Sequence, residues 1–545
     1  MSERPVDLRL LPAAVGSWCA AGLGVHAQGA AGPTPALLAV IVVLGMIALA
    51  LVVVCARRPS AGGVGRGARR AAGSRDELRR SRRPRPRHRR PAPVRDVAGA
   101  TLVAVAAVTA VLVSCAAHLE ARADGPLLEA AEQRATAVVE GVVVGEAAPA
   151  PVAWDRERVS AVVLVDQVAA RGRTGRAAAE VLVTGDAAWL DVPLGARVSV
   201  LGRLAPLDGR RPAVLATGAF EVLAAPGAAL GAVARLRSGL RTATASLDGD
   251  AAALVPGVAI GDVSRVTPEL TQAMRVAGLS HLVAVSGQHV AIVLLAVMAL
   301  AGAARAPRWL RAVLAGAAVI SFALLVGPGA SVLRAAVMGG VGALALALGR
   351  PSWPLPALGV AVVGLLVADP WAAGSLGFQL SVLATVAIVL LAGPSARAVH
   401  ERWPPQLRTR PSVGALAVLT VPLAAQSAVA PVLVLVDPVV SPWAVPANVV
   451  AAPAVVPATL LGLTATVLEP VWSGGAVMVA RVAAYPAAWL GTVARATAGL
   501  PGAATPWREG ALGALGLAAL LAAAWLAGRV LLVPATARAS RHGAA

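Results

Sequence analysis

The stretch from residue 278 to 303 reads Gly278-Leu279-Ser280-His281-Leu282-Val283-Ala284-Val285-Ser286-Gly287-Gln288-His289-Val290, then Ala291-Ile292-Val293-Leu294-Leu295-Ala296-Val297-Met298-Ala299-Leu300-Ala301-Gly302-Ala303. From Leu279 onward it is long and apolar enough for a helix through a bilayer core, which takes about 20 residues. Its first half nevertheless carries two histidines, two serines and a glutamine. Polar groups at membrane depth are costly and usually face a protein interior or a water-filled path. His281 and His289 are eight residues apart and share nearly one face of a helix, two turns from each other. Ser286-Gly287 lies between them, and glycine loosens a helix at that point. The pair reads either as lining of a path or as buried histidines bonding between helices; the spacing does not favour a shared metal.

Outward from this stretch, similar runs recur at 8–25, 36–56, 97–117, 311–327, 331–349, 355–369, 376–393, 413–436, 443–468, 474–497 and 510–533, making twelve with 279–303. The chain is 57% hydrophobic and 14% charged, against roughly 25% charged in soluble domains. The expected fold is a polytopic α-helical membrane protein of about 12 spans. The net charge is +20 and every basic residue is Arg. Residues 57–95 alone hold 15 Arg against Asp76 and Glu77. That concentration marks a cytoplasmic loop under the positive-inside rule, with contact to nucleic acid or anionic lipid as the other reading. Alternating the spans from there puts Arg305, Arg308, Arg350, Arg397, Arg402, Arg408, Arg410, Arg538 and Arg541 inside, and Asp369 and Asp437 outside. Both termini fall in the cytoplasm. The three cysteines, Cys19, Cys55 and Cys115, lie in or beside apolar runs and form no metal-binding pair.

Between the third and fourth runs the pattern changes. Thr136–Val144, Ser160–Val168, Ala179–Thr184, Arg197–Leu204 and Ala213–Val222 are short Val- and Leu-rich segments broken by Gly, Pro and Asp. They read as five strands, and five strands in about a hundred residues suit an inserted small β-barrel of OB-like type. Single-strand binders stack bases on aromatic rings along a basic groove. Trp154, Trp189 and Arg203 are the DNA-contact candidates, with core packing as the competing use of the tryptophans and of Phe220. The 12 Arg against 13 acids between 121 and 235 leave the segment near neutral, which weakens the groove reading. Further on, Thr267-Pro268-Glu269 opens a helix: a Thr cap, Pro at its first position and an acid in its first turn. An amphipathic helix on the outer membrane surface is expected from Pro268 to Ala277.

The stretch 278–290 is similar to the GLSHLLAxSGLHV signature of the ComEC competence family. Gly257-Val258-Ala259-Ile260-Gly261-Asp262 resembles the lead-in of that family. Leu333-Arg334-Ala335-Ala336-Val337-Met338 resembles its RAxxM stretch. Asp369-Pro370 with Gly377-Phe378-Gln379-Leu380-Ser381 resembles DP…GFQLS, and Gln426 through Pro453, with Ser441 and Asn448, resembles its Q…P…S…N…P region. The resemblance implies a competence-type channel domain at 279–535. Around it stand N-terminal membrane helices at 1–120, an extracytoplasmic OB-like domain at 125–235, an amphipathic connection at 236–278 and a cytoplasmic tail at 536–545.

The function implied is transport of single-stranded DNA across the cytoplasmic membrane during natural transformation. The alternatives are a membrane enzyme acting on a lipid-linked or envelope substrate, and an assembly subunit without a working pore. The expected translocation path comprises His281, Ser286, Gly287, His289, Arg334, Gln379, Gln426 and Asn448. A centred Arg costs about 2.5–3.5 kcal/mol on insertion scales, so Arg334 reads either as a cation beside a polyanion or as a side chain snorkelling to the interface. A chain without Lys cannot form a GxxxxGK[ST] loop, so energy is expected from a cytoplasmic partner; no catalytic residues and no cofactor are expected. The family implies as partners an extracytoplasmic DNA receptor, a cytoplasmic helicase-like ATPase and a separate nuclease, besides membrane lipids. The seven His, at 26, 88, 118, 281, 289, 400 and 542, form no HxHxDH cluster. The nuclease domain of longer relatives is therefore expected to be absent.

Overall fold

A computed structural model describes residues 10–26, 93–123, 126–149, 159–207, 213–283, 285–327, 329–350, 353–403 and 410–532. The run 36–56, the Arg-rich loop up to residue 92, Trp154 and the tail from 533 lie outside them.

The order is α1 (Leu11–His26), α2 (Pro93–Ala123), α3 (Pro126–Glu132), β1 (Thr136–Pro149), β2 (Val159–Ala170), β3 (Arg173–Gly185), β4 (Arg197–Pro206), β5 (Ala213–Ala224), α4 (Ala228–Ala243), α5 (Gly249–Ile260), α6 (Pro268–Val276), α7 (Ser280–Val283) and α8 (Gly287–Ala303). It continues with α9 (Arg308–Val326), α10 (Ala330–Ala347), α11 (Pro354–Ala368), α12 (Leu376–Ala387), a π turn at Ile388–Ala392, α13 (Gly393–His400), α14 (Arg410–Leu433), β6 (Val439–Val440), α15 (Ala444–Leu468), α16 (Ser473–Ala498), β7 (Thr505–Pro506) and α17 (Gly510–Leu532).

Eight helices among the described residues are long and apolar enough to cross a membrane, and four shorter apolar helices accompany them. Exposed apolar side chains such as Leu295, Ile320, Leu344, Val467 and Met478 form surfaces suited to lipid and not to water. The protein is a multi-pass membrane protein.

Two expectations change at this level. The run 279–303 is not one helix: α7 ends at Val283 and α8 begins at Gly287. The 17 residues of α8 reach about 25 Å at 1.5 Å per residue. The simple alternation of twelve straight crossings also fails. It would carry the end of α9 and the end of α15 to opposite faces. Instead Leu325 shares one apolar cluster with Ala465, Ala476 and Ala480. On α4, Arg237 donates to Leu325 O, and Gly239 two residues later abuts the Glu469 carboxylate. A helix is about 10–12 Å across with its side chains, against a hydrocarbon core of about 30 Å. The two ends therefore stand at one level. Apolar runs count helices but carry no direction, which is why the alternation misplaced them.

The five strands close into a barrel in the order β1-β2-β3-β5-β4. β3 and β5 run parallel; the other neighbours are antiparallel. Alternate residues point inward, and Val139, Val163, Val181, Val183, Val198, Val200, Leu204 and Leu215 fill the core. A short 3-10 helix at Ala187–Asp191 follows β3, capped by Asp186, whose side chain accepts from Ala188 N. Arg197 pairs with both carboxylate oxygens of Asp166, at 2.7 and 2.9 Å; that bond and its charge raise the guanidinium's pKa.

The α6 helix starts as the sequence predicts, with Leu270 N donating to Thr267 Oγ1. Its apolar face, Leu270, Ala273 and Met274, is buried against α5, α15 and α16, so that face meets protein. Beyond Asp250 in its first turn α5 is apolar all round, and nine of its residues are buried, as expected of a helix enclosed by others. It ends at Gly261 in the left-handed conformation, φ 72°.

Candidate functional site

The break before α8 is built from three devices. Ser286 caps the helix: its Oγ accepts from Gln288 N at 3.3 Å. His289 stands where a capping box usually holds Glu or Gln, and its Nδ1 accepts from Ser286 N at 3.1 Å. With Nδ1 accepting, a neutral ring carries its proton on Nε2, and that atom is buried with no hydrogen-bond partner among the described residues. On the other side of the break, Asn448 Nδ2 donates to Gly278 O at 3.2 Å and to Ala444 O at 2.8 Å. This bond fastens α15 to the turn before α7. His281 is exposed, whereas His289 is fully buried.

Gly287 is the first residue of α8, and a Cβ there would lie 2.9 Å from Arg334 Nη2. Glycine thus lets the guanidinium approach the start of the helix. Arg334 is on α10 and only 6% exposed. Its Nε and Nη2 donate to Ser381 Oγ at 3.0 and 2.6 Å, and Nη1 reaches Met338 Sδ at 3.3 Å. Ser381 Oγ also bonds Ser331 Oγ at 3.0 Å, and Thr385 Oγ1 donates to Ser381 O. No carboxylate pairs with Arg334 among the described residues. Burying a cation without a partner costs several kcal/mol, about 3–5 when one member of a buried pair is removed. A guanidinium offers five N–H donors, so Arg334 keeps capacity for an anion.

The remaining sequence candidates separate from this group. Gln379 is buried and donates from Nε2 to Ala373 O at 2.9 Å, the carbonyl that also accepts from Trp18 Nε1 at 3.1 Å. It ties down the Asp369-Pro370 turn, where Asp369 accepts from Trp371 N, and its Oε1 has no partner among the described residues. Gln426 is half-buried on α14. In the barrel, Trp189 is 1% exposed and packs on Phe220 with ring centroids 4.5 Å apart. It sits in the core, so base stacking does not extend to it. Arg203 is exposed and donates from Nε to Arg134 O at 3.2 Å.

Two residues that matter were not singled out from the sequence. Ser331 opens α10 with nothing in its surroundings to distinguish it. Arg237, on α4, donates to Ile260 O and Leu325 O; the signal was a cation on a helix face that it shares with the apolar Val233 and Leu240.

Residues 258–533 match the family model described as Competence protein. The match covers just over half of the 545 residues and includes the α7–α8 break, Arg334, Ser381, Gln426 and Asn448. No curated protein and no solved structure matches the chain. By the family model, and in keeping with the motifs that resemble ComEC, the chain belongs to the competence protein family.

Proposed function

We propose that this protein passes single-stranded DNA across the cytoplasmic membrane during natural transformation. The family points to DNA uptake and competence, and its domain is a transporter-type membrane domain. One observation carries the finer reading: Arg334 is buried, has no carboxylate, and lies against the glycine that opens a broken helix. Irregular backbone at membrane depth is tolerated where it is buried in protein or lines a water-filled cavity. A cation at such a point suits a passing phosphate; in this reading Ser286 and His289 shape the break at Gly287, His281 lines the path ahead of it and Asn448 braces it. Gln379 and Gln426 support the path from α12 and α14.

The strand order, with β1 closing on β4 and β3 beside β5, supports an OB-like barrel, which in this reading receives DNA on the outer side. In this reading both termini are cytoplasmic. An extracytoplasmic receptor delivers DNA, a separate nuclease removes one strand, and a cytoplasmic helicase-like ATPase supplies the energy. The alternative of a membrane enzyme has no group of three or more His, Cys, Asp or Glu fit to hold a metal among the described residues.

The test is uptake of labelled DNA by a deletion strain carrying the wild-type gene or Arg334→Gln. The expected result is no cytoplasmic DNA in the deletion strain, restoration by wild type, and strong loss with the variant at equal protein level. Wild-type uptake in the deletion strain overturns the conduit reading. Normal uptake with Arg334→Gln removes Arg334 from the path.

A further inference from the structure

The near-neutral total of the barrel conceals a division of charge by end. β1 begins, β2 ends, β3 begins and β4 ends at one rim, because Thr136 pairs with Arg203 and Ala170 pairs with both Ala137 and Arg173. That rim carries Arg134, Arg171, Arg173, Arg176 and Arg203, all exposed. None forms an ion pair with a described residue. The acids beside it are Glu129 and Glu132 on α3. At the opposite rim the exposed charges include Asp186, Asp191 and Glu221.

The basic rim is fastened to the membrane helix α2, while the opposite rim runs from β5 into α4 and meets it where Gly195 abuts Leu230. The apolar window of α2 ends at Glu120. Six residues on, the Pro126 ring of α3 lies against Gly175, where a Cβ would be 2.6 Å from Pro126 Cγ. Three helical residues and a short link span about 15 Å at most, and the headgroup layer begins where the hydrocarbon ends. An arginine side chain adds its own length and extends readily to phosphates at that depth. The turn itself asks for no arginine. Arg171 and Gly172 have φ of 51° and 75°, a two-residue hairpin turn that Asn-Gly fits best.

We propose that this rim docks on the phosphates of anionic phospholipids around α2, holding the barrel against the bilayer surface. The contact is with headgroups and is independent of the DNA-conduit reading. Trp189, a candidate for base stacking, is inside the core and not on this rim.

The experiment measures amide hydrogen exchange of residues 169–177 in the full-length protein, reconstituted in nanodiscs of phosphatidylcholine alone or with phosphatidylglycerol. We expect exchange slowed at least several-fold by phosphatidylglycerol, with the slowing lost in high salt, because exposed charges are screened. The combined variant Arg171→Gln, Arg173→Gln, Arg176→Gln should lose it, and the matching Arg→Lys variant should keep most of it. Equal exchange in both lipids overturns the proposal. So does slowing that appears only when a single-stranded oligonucleotide is added, which would assign the rim to nucleic acid. A positive lipid result leaves DNA uptake to be decided by its own assay, so the two readings fail separately.

Discussion

Arg237 and Arg334 are both buried cations, 4% and 6% exposed, and their surroundings use them differently. Arg237 Nη1 bonds Ile260 O at 2.8 Å and Leu325 O at 2.6 Å. These are carbonyls of the last turns of α5 and α9, where helices leave acceptors unpaired and favour positive charge. Hydrogen bonds to charged groups are worth about 1.5–3 kcal/mol, so Arg237→Met should lower stability by about 2–4 kcal/mol, read as thermal unfolding in detergent. Among the described residues Arg334 has only hydroxyl and thioether partners, so its value lies in what it can still bind. In Gly287→Ala the new Cβ meets the far end of a flexible side chain, which can move. The fold should hold while the guanidinium leaves Ser381, and DNA uptake should fall about tenfold at unchanged protein level, the equivalent of one lost charged bond. Unchanged uptake would separate Arg334 from the path. Asp262 gives a pH prediction. Burial opposes its charge, but Arg241 Nε and Ser264 N bond the carboxylate and outweigh burial, so its pKa is lowered. A lowered folded value means stability that is present above the ordinary carboxylate pKa of about 4 and lost as pH falls below it. Asp262→Asn should therefore be less stable than wild type at neutral pH, with the difference shrinking on acidification toward pH 3.

At the scale of elements, α5 shows how a short apolar helix is held. Its twelve residues extend about 18 Å, too short to cross. It is fixed at its start by Asp250, which accepts from Arg495 Nε and Nη2 at 2.6 Å each, and at its end by Gly261. A Cβ at Gly261 would lie 3.3 Å from Val285 and 3.5 Å from Val326, in a backbone conformation costing non-glycine residues about 1–2 kcal/mol. Gly261→Ala should lose at least that much, and because Val285 belongs to the break before α8 the loss should reach DNA uptake as well as melting temperature. The sequence pattern made most elements legible. Each of the five strand segments falls within a strand of the barrel, and the long apolar runs among the described residues are helices. The misses have physical causes. Val283-Ala284-Val285 is as apolar as its neighbours, so hydropathy could not show the helix stopping there; only Ser286 and Gly287 hinted at it. α5 lay unseen within a connecting segment because twelve residues fall short of a membrane-length window. A charge count over the barrel could not show two rims of opposite sign, since pairing register decides which arginines meet.

For the whole molecule, the question the sequence answered least well is which helix ends share a face. Positive charge orients loops that contain it, but the turn from Glu469 to Trp472 contains no arginine, so nothing in the composition corrected the alternation there. Packing does. α4 follows the barrel directly and joins the ends of α5, α9, α15 and α16 in one apolar cluster. α9 starts at Arg308, beside the Arg305 turn, and runs away from it to Leu325. The Glu469 turn must then lie on the barrel side, away from Arg305. Val471 in that turn is 86% exposed and suits a labelling test. In a chain with Cys19, Cys55 and Cys115 replaced by Ala, Val471→Cys should react with a membrane-impermeant thiol reagent in intact cells, as should Glu221→Cys on the barrel. Arg305→Cys should react only after the membrane is opened. If Val471→Cys follows Arg305→Cys instead, α15 and α16 cross the membrane as straight alternating spans, and the shared cluster with Leu325 does not describe the protein in its bilayer.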